Sequence, residues 1–322
     1  MSLTRIYKEL KRDLNDIEKG IEEAVASDHP TLHQAGYELI KAGGKRIRPI
    51  LVLLSSRYGK KDDPAVKKAA ITLELIHTAS LVHDDVIDNA ELRRGKPTVK
   101  AKWNNRTAMY AGDYLFAKAI DIMADIQNPY ANQVVAKAMR EMSIGEIEQI
   151  KDQFNYRQNL RQYLLRIKRK TALLMAISCE LGAIASGASR SIGRKLYYFG
   201  YFMGMSYQIT DDILDFVGTE KQLGKPAGSD LKQGNITLPT LMAFRHSDIK
   251  AAVKRTLDMD NPSAQDFDGV INLIKQSDAI EVSQEISTQY LKKAYNILND
   301  LPDHSSTRSF REIADYIGIR KY

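Results

Sequence analysis

Apolar residues recur at spacings of three and four along almost the whole chain, and this periodicity predicts helices. One such face is formed by six positions: Leu73, Ile76, His77, Ser80, Leu81 and Asp84. Another runs along six more: Leu196, Phe199, Phe202, Met203, Ser206 and Tyr207. Alternation typical of strands is scarce, and the nine prolines fall mostly where helices would begin or end. The pattern predicts an all-α fold, and we expect one helical domain over residues 1–322.

The stretches between these periodic segments predict loops at residues 59–64, 89–97, 219–234, 259–264 and 300–307. Roughly the first 20 residues are polar and amphipathic, which predicts a single helix on the outside of the bundle. The apolar stretch from Leu164 to Ala176 predicts another helix, which Lys170 and Thr171 interrupt. The local sequence leaves open whether Lys170 is a surface cation or an anion ligand.

Composition is that of a globular protein with a large core, because 43% of its 322 residues are hydrophobic and 27% are charged. The single cysteine, Cys179, excludes an intrachain disulfide, and we expect a buried thiol and a cytoplasmic protein. No apolar run is long enough to span a membrane, and we expect no signal peptide.

The net charge of +7 fits a solvated basic surface, an anionic small substrate or an anionic membrane surface. Membrane contact should be peripheral at most. The basic residues are scattered and the chain has one Trp, so we expect no nucleic-acid partner.

Two short acidic clusters carry the clearest chemical signal: Asp84-Asp85-Val86-Ile87-Asp88 and Asp211-Asp212-Ile213-Leu214-Asp215. In a helix, the first and last Asp of each cluster lie on one face, one turn apart, and the middle Asp points about 100° away. A pair of stacked carboxylates suits Mg²⁺, and two such pairs could hold metal ions and a diphosphate between them. The alternative for one cluster alone is a solvated helix end. The repetition of the cluster favours a metal site.

Cationic residues follow or precede these clusters. Arg93 and Arg94 come shortly after the first, and a loop with Lys225, Lys232 and Asn235 follows the second. The segment Gly43-Gly44-Lys45-Arg46-Ile47-Arg48-Pro49 fits a phosphate-binding turn at a helix start, although a basic surface turn is the alternative. It lacks the spacing of a nucleotide P-loop. Together the acids, cations and apolar helix faces indicate a metal-bridged diphosphate with a hydrocarbon tail, which describes an isoprenoid diphosphate.

The ordered set of motifs resembles the trans-type (E-type) polyprenyl diphosphate synthases, from about Leu39 to Tyr322. Within that family, the segments 81–85 and 311–322 are most similar to the catalytic component (component 2) of bacterial heptaprenyl diphosphate synthases. The resemblance implies the isoprenoid synthase fold, a helical bundle around a deep central cavity. It also implies either a homodimer or a heteromer with a small component 1 subunit.

The resemblance further implies roles for individual residues in a condensation of isopentenyl diphosphate with an allylic prenyl diphosphate. Metal ligands would be Asp84, Asp88 and Asp211, holding Mg²⁺, with three ions expected per active site. The catalytic set would comprise these three with Asp85, Asp212 and Lys170. Isopentenyl diphosphate would be bound by four residues: Lys45, Arg48, His77 and Arg94. The allylic diphosphate would be bound by five: Arg93, Lys170, Thr171, Gln208 and Lys225. Many short-chain relatives carry Lys at the position of Asn235, so the contribution of that position is open, and Lys232 is a candidate substitute.

Product length should depend on residues upstream of Asp84, where short-chain relatives carry a large aromatic that acts as a floor. Here Ala79 and Ser80 are small, and Ile76 comes next on that face. Because a helical turn is about 5.4 Å, close to one isoprene unit, we expect a product of about thirty to thirty-five carbons, suited to a quinone side chain such as that of menaquinone. The alternatives are a homodimeric geranylgeranyl or farnesyl diphosphate synthase, a terpene cyclase, and a non-catalytic partner subunit.

Overall fold

The computed structural model describes residues 3–41, 43–59, 63–93, 95–219 and 227–318, and these are almost entirely helical. The first nine helices are α1 (Thr4–Glu9), α2 (Lys11–Val25), α3 (Pro30–Lys41), α4 (Ile47–Ser56), α5 (Pro64–Ile87), α6 (Val99–Lys102), α7 (Asn105–Ala124), α8 (Pro129–Asp152) and α9 (Leu160–Ile167). The remaining helices are α10 (Leu173–Ala185), α11 (Arg190–Val217), α12 (Ser229–Lys232), α13 (Leu238–Ala243), α14 (Ser247–Leu257), α15 (Ala264–Gln276), α16 (Ala279–Asn299) and α17 (Ser305–Gly318). A π-helix, Lys168–Ala172, joins α9 to α10. The prediction of an all-α fold is confirmed, and no helix in the described parts of the chain is long and apolar enough to cross a membrane.

Helix starts follow the capping chemistry of the sequence. The Asp63 side chain accepts a hydrogen bond from the Ala65 N–H, and Pro64 opens α5. Asn128 and Pro129 act in the same way at the start of α8. A polar side chain satisfies an N–H that has no partner within the helix, and proline loses nothing at the first position. The prolines therefore mark helix borders, as the sequence predicted.

Helix α10 lies at the centre of the bundle and is buried on nearly every side. It packs against α4, α5, α8 and α11. Close packing against α11 depends on Gly200, where an added Cβ would lie 2.6 Å from the Met175 carbonyl oxygen of α10. Helix α11 continues from this core into a second one, because Phe199 lies in the first hydrophobic cluster and Ile209 in the second.

Several boundaries differ from those expected. The N-terminal segment forms two helices, which meet at Leu10, and both Ile6 and Leu10 are buried. Residues 89–97 contain a small antiparallel hairpin, Leu92–Arg93 paired with Lys96–Pro97. The expected loop at 219–234 includes helix α12, and α17 already begins at Ser305.

A substitution at Gly200 tests the close approach of α10 and α11. In an open helix, Gly→Ala stabilises by about 1 kcal/mol through propensity. At Gly200 the added methyl meets backbone atoms at 2.6 and 2.9 Å, so overpacking of about 1–3 kcal/mol should outweigh that gain. Gly200→Ala should lower the free energy of unfolding measured in denaturant. The matched control is Gly269→Ala on α15, where nothing lies within 4 Å of the new Cβ, and this change should stabilise. Stabilisation by both substitutions would contradict the close contact.

Candidate active site

Both aspartate clusters line one cavity of about 1250 Å³, the first from α5 and the second from α11. This volume exceeds the roughly 300–1000 Å³ of ordinary small-ligand pockets. Five of the six aspartates reach its wall: Asp84, Asp88, Asp211, Asp212 and Asp215. The structure therefore brings together two clusters that lie far apart in the sequence.

In the first cluster, α5 ends at Ile87, and Asp88 occupies the C-cap position. Asp84 and Asp88 line the cavity, whereas Asp85 is buried and accepts a hydrogen bond from Arg93 Nε at 2.8 Å. Burial raises the pKa of Asp85, although the Arg93 charge opposes the rise. Burial also raises the pKa of Asp88, and the Asp84 charge adds to the effect, while Lys170 opposes it. Only two carboxylates of this cluster thus face the cavity.

Lys170 reaches this cluster from the π-helix. Its Nζ lies 4.0 Å from Asp84 Oδ2 and 3.7 Å from Glu146 Oε2, and it donates a hydrogen bond to Gln149 Oε1 at 3.0 Å. Burial disfavours the ammonium, but the charges of Asp84, Glu146 and Asp88 outweigh burial and raise the pKa of Lys170. The π-turn, a feature often found at functional sites, directs this residue into the cavity. Lys170 thus lies on the cavity wall, and its role as an anion ligand stays a prediction.

In the second cluster, Asp211 lines the cavity and Asp212 is held by hydrogen bonds. Tyr163 Oη donates to Asp212 Oδ2 at 2.7 Å, and Gln208 Nε2 donates to Asp212 Oδ1 at 2.8 Å. Thr171 Oγ1 donates to Gln208 Oε1 at 2.6 Å, so the π-helix is tied to this cluster as well as to Asp84. Burial raises the pKa of Asp212 to about 7, with Asp230 adding to the effect and the two hydrogen bonds opposing it.

Asp215 differs from its counterpart Asp88. It is buried, and its Oδ2 accepts a hydrogen bond from the Asp230 N–H at 3.1 Å. Its carbonyl oxygen accepts another from the Gly228 N–H at 2.7 Å. Asp215 thus anchors the segment that follows α11, and the two clusters are not equivalent.

Cations approach the same cavity from the turn before α4 and from the first turn of that helix. Lys45 and Arg48 line it together with His77 of α5, so three of the four residues expected to bind isopentenyl diphosphate meet there. Lys45 Nζ donates a hydrogen bond to Tyr316 Oη at 3.1 Å. Arg94, the fourth, and Lys225, expected at the allylic diphosphate, lie outside the described residues.

Asn235 also lines the cavity, and its N–H donates to the Asp230 carbonyl at 2.8 Å. Lys232 instead bonds Asp268 Oδ1 on α15 at 2.9 Å and is absent from the cavity wall. The expectation that Lys232 could substitute for the missing charge therefore finds no support in this arrangement.

The positions expected to set product length separate into two groups. Ser80 lines the cavity on α5, between His77, three residues before it, and Asp84, four residues after it. Ala79 and Ile76 are buried in the hydrophobic core and are absent from the cavity wall, because they lie on the neighbouring face of the helix. Apolar residues of other helices also line the cavity, among them Phe116, Met139, Met142 and Met175.

Sequence reasoning missed several polar lining residues, among them Glu146, Gln149, Tyr163 and Arg166. Glu146 and Gln149 follow Met142 at helical spacing on α8, so polar residues on an otherwise apolar face were the available signal. Arg166 donates to Gln158 Oε1 and to the Ile236 carbonyl oxygen, contacts that come from distant segments. Only the fold reveals the contact between Tyr163 and Asp212, because they belong to separate helices.

The donor set fits Mg²⁺. Carboxylate oxygens are its preferred protein ligands, and it is usually bound by one or two carboxylates plus substrate phosphates and water. Within the part of the chain that the structure describes, no three acidic, His or Cys side chains form a ready-made metal cage. Asp84, Asp88 and Asp211 would therefore share a metal with a diphosphate rather than enclose it alone.

Comparison with known proteins agrees with this geometry. A sequence model of the family described as Polyprenyl synthetase matches residues 29–274. Heptaprenyl diphosphate synthase component 2 of Bacillus subtilis (strain 168) is 53% identical over 322 residues, covering all of this chain and 92% of that protein.

Two solved structures superpose closely. The heptaprenyl diphosphate synthase of Staphylococcus aureus has a TM-score of 0.93 at 39% identity, covering 97% of this chain and 99% of the other. The polyprenyl synthase of Caulobacter crescentus CB15, solved in complex with calcium and isoprenyl diphosphate, has a TM-score of 0.92 at 30% identity, covering 100% and 98%. Both likenesses extend over the whole bundle, so the fold is that of the isoprenoid synthases.

Enzymes of this family are generally Mg²⁺-dependent, which agrees with the oxygen-rich cavity. The full-length similarity, the matching fold and the paired aspartate clusters lead to one conclusion: this chain belongs to the polyprenyl synthetase family and is a prenyltransferase.

Proposed function

We propose that this prenyltransferase condenses isopentenyl diphosphate with an allylic prenyl diphosphate, in trans and head to tail, to make a heptaprenyl diphosphate. The observation that carries the proposal is one cavity lined by carboxylates, by cations and by apolar side chains. Such a cavity suits a diphosphate with a long hydrocarbon tail. The similarity to heptaprenyl diphosphate synthases supports the product length.

In this proposal Asp84, Asp88 and Asp211 hold Mg²⁺, three ions per active site, against the allylic diphosphate. Bound Mg²⁺ would stabilise the negative charge that develops on the departing diphosphate. Lys170 lies beside Asp84 and supplies a cation at the same place. The complex of the Caulobacter crescentus relative with a divalent cation and isoprenyl diphosphate supports this grouping.

Arg93, Thr171, Gln208 and Lys225 would complete the allylic diphosphate site. Asp85 and Asp212 act on it indirectly, because Asp85 bonds Arg93 and Asp212 bonds Gln208. We propose that these middle aspartates orient the substrate-binding side chains rather than bind metal.

Isopentenyl diphosphate would be held by Lys45, Arg48, His77 and Arg94. The allylic C–O bond breaks and its electrons leave with diphosphate. The isopentenyl double bond then forms the new C–C bond to the allylic carbon. A proton is lost to the released diphosphate, so the step requires no side-chain nucleophile or dedicated base.

The Bacillus subtilis relative is called component 2, a name that implies a component 1. We propose that this chain likewise works with a small second subunit. A homodimer active alone is the alternative, and product formation with and without a component 1 subunit distinguishes the two.

Enzyme assay with metal removal tests the proposed reaction. Purified chain, farnesyl diphosphate, labelled isopentenyl diphosphate and Mg²⁺ should yield C35 product on sizing when component 1 of the Bacillus subtilis enzyme is added, and little or none without it. EDTA should abolish product. Asp84→Asn and Asp211→Asn should each lower kcat by about 100-fold or more, since each removes a carboxylate that would hold the Mg²⁺ that stabilises the leaving diphosphate.

Asp125→Asn is the matched control, because Asp125 is a surface residue that pairs only with the exposed Lys68 in the contacts described. It should leave kcat unchanged. Full activity in EDTA, or in either active-site variant, would contradict the proposed reaction.

Product length should respond to bulk at Ser80, because this side chain lines the cavity. Ser80→Phe should shorten the product to C15–C20 while the unfolding temperature changes little. Ala79→Phe places the ring in a position with no exposed surface, so it should lower the unfolding temperature as well. Full-length product from Ser80→Phe would show that this wall does not limit growth.

The buried Asp212 predicts a pH dependence of stability in metal-free solution. Its folded pKa of about 7 lies above its unfolded value near 3.8, so the native protein retains a proton that the unfolded chain loses between these values. The stabilising contribution is complete below pH 4 and is lost as the pH rises toward 7. Asp212→Asn removes this pH-dependent loss of stability, which amounts to about 4 kcal/mol at most. Its unfolding free energy relative to wild type should therefore increase from pH 4 to 8 in chelator, and a constant difference would refute the shifted pKa.

A further inference from the structure

We propose that Arg46 is a positioning residue, which fixes residues 45–48, the turn with Lys45 and the start of α4 with Arg48, relative to His77 and so assembles the isopentenyl diphosphate site. This inference rests on the proposed function of that site. Arg46 is the central cation of the segment 43–49, and its guanidinium pairs with two carboxylates, those of Glu18 and Glu74.

The backbone at Arg46 is left-handed, with φ 45° and ψ 36°. Residues with a Cβ rarely adopt this conformation, and it persists where surrounding contacts hold it. Arg46 directly precedes α4, and its carbonyl accepts the first helical hydrogen bond from the Ile50 N–H at 3.1 Å. The turn between Lys45 and Arg48 therefore takes its shape from Arg46.

The guanidinium of Arg46 supplies those contacts. Its Nη1 donates to Glu74 Oε1 of α5 at 2.9 Å. Its Nη2 donates to Glu18 Oε2 of α2 at 3.0 Å, and its Nε donates to the other oxygen of the same carboxylate. Nη2 also reaches the Ile40 carbonyl of α3 at 3.5 Å. The planar guanidinium, with its forked set of N–H donors, thus joins the turn to three helices. A lysine ammonium cannot reproduce this fork.

The bond to Glu74 connects this fork to the site. Glu74 is nearly fully buried and lies three residues before His77, on the same side of α5. Both residues line the cavity, as do Lys45 and Arg48. Arg46 therefore fixes the turn against the helix that carries His77. The three residues expected to bind isopentenyl diphosphate, Lys45, Arg48 and His77, thereby keep one arrangement.

Charge gives Arg46 a second effect on the site. Glu18 and Glu74 place two carboxylates beside a turn that would bind an anion. Arg46 neutralises one of these charges, and loss of the cation would leave both to repel a diphosphate. A lysine retains the charge but loses the fork, so Arg46→Lys isolates the positioning effect.

Calorimetric titration with isopentenyl diphosphate, together with steady-state kinetics, tests the proposal. Arg46→Lys should weaken isopentenyl diphosphate binding and raise its KM by about tenfold, equivalent to about 1.4 kcal/mol. The KM for the allylic substrate and kcat at saturation should stay within about twofold, since that substrate binds to other residues. Arg46→Gln should show a larger effect on the same constant.

Two further variants separate positioning from the alternatives. Glu18→Gln should weaken isopentenyl diphosphate binding even though it removes a negative charge, because it loosens the fork. Tighter binding in Glu18→Gln would indicate that Arg46 itself binds the diphosphate, and would overturn the proposal. Arg57→Gln is the matched control, since Arg57 pairs with Glu9 at the opposite end of α4 and is buried to a similar extent. It should lower the unfolding temperature without changing either KM.

Equal rises in both KM values, or an Arg46→Lys protein that binds isopentenyl diphosphate as wild type does, would overturn the role of Arg46 while leaving the proposed function intact. A wild-type chain that binds no isopentenyl diphosphate would overturn the proposed function and this inference with it.

Discussion

Like-charge repulsion around one cavity is the constraint on which the rest of this structure depends. Both aspartate clusters line the same cavity, where burial disfavours the charged form of a carboxyl group. Carboxylates so placed require cations, hydrogen-bond donors or protons. Arg93 donates a hydrogen bond to Asp85, and Tyr163 and Gln208 each donate one to Asp212. Asp84, Asp88 and Asp211 line the cavity, where a bound metal and a diphosphate would complete the balance of charge.

The π-helix connects the two clusters physically. Lys170 lies beside Asp84, and the next residue, Thr171, bonds the Gln208 that in turn bonds Asp212. A regular α-helix would rotate these side chains differently, since the π-turn inserts an extra residue per turn. This local irregularity therefore sets the spacing at which both clusters can act on one substrate.

Sequence reasoning succeeded where the signal was local. The helical spacing of Asp84 and Asp88 and the proline positions at helix starts could be read directly, and the structure places these features accordingly. It failed where distant segments meet. Tyr163 reaches Asp212 from another helix, and the fork of Arg46 depends on Glu18 and Glu74. Ala79 and Ser80 are adjacent and both small, so only the rotation of α5 in the bundle shows which one faces the cavity.

We propose that carboxylates from both clusters take up metal jointly with a diphosphate. Titration with Mn²⁺, followed by the electron paramagnetic resonance signal of the free ion, tests it with and without inorganic diphosphate. Because the described residues contain no ready-made cage, binding to the chain alone should be weak. Diphosphate should tighten it by about tenfold or more, the range of ordinary coupling between two ligands. That gain should vanish in Asp84→Asn and in Asp211→Asn alike. Equally tight Mn²⁺ binding without diphosphate, or a gain that survives the loss of either aspartate, would contradict the account.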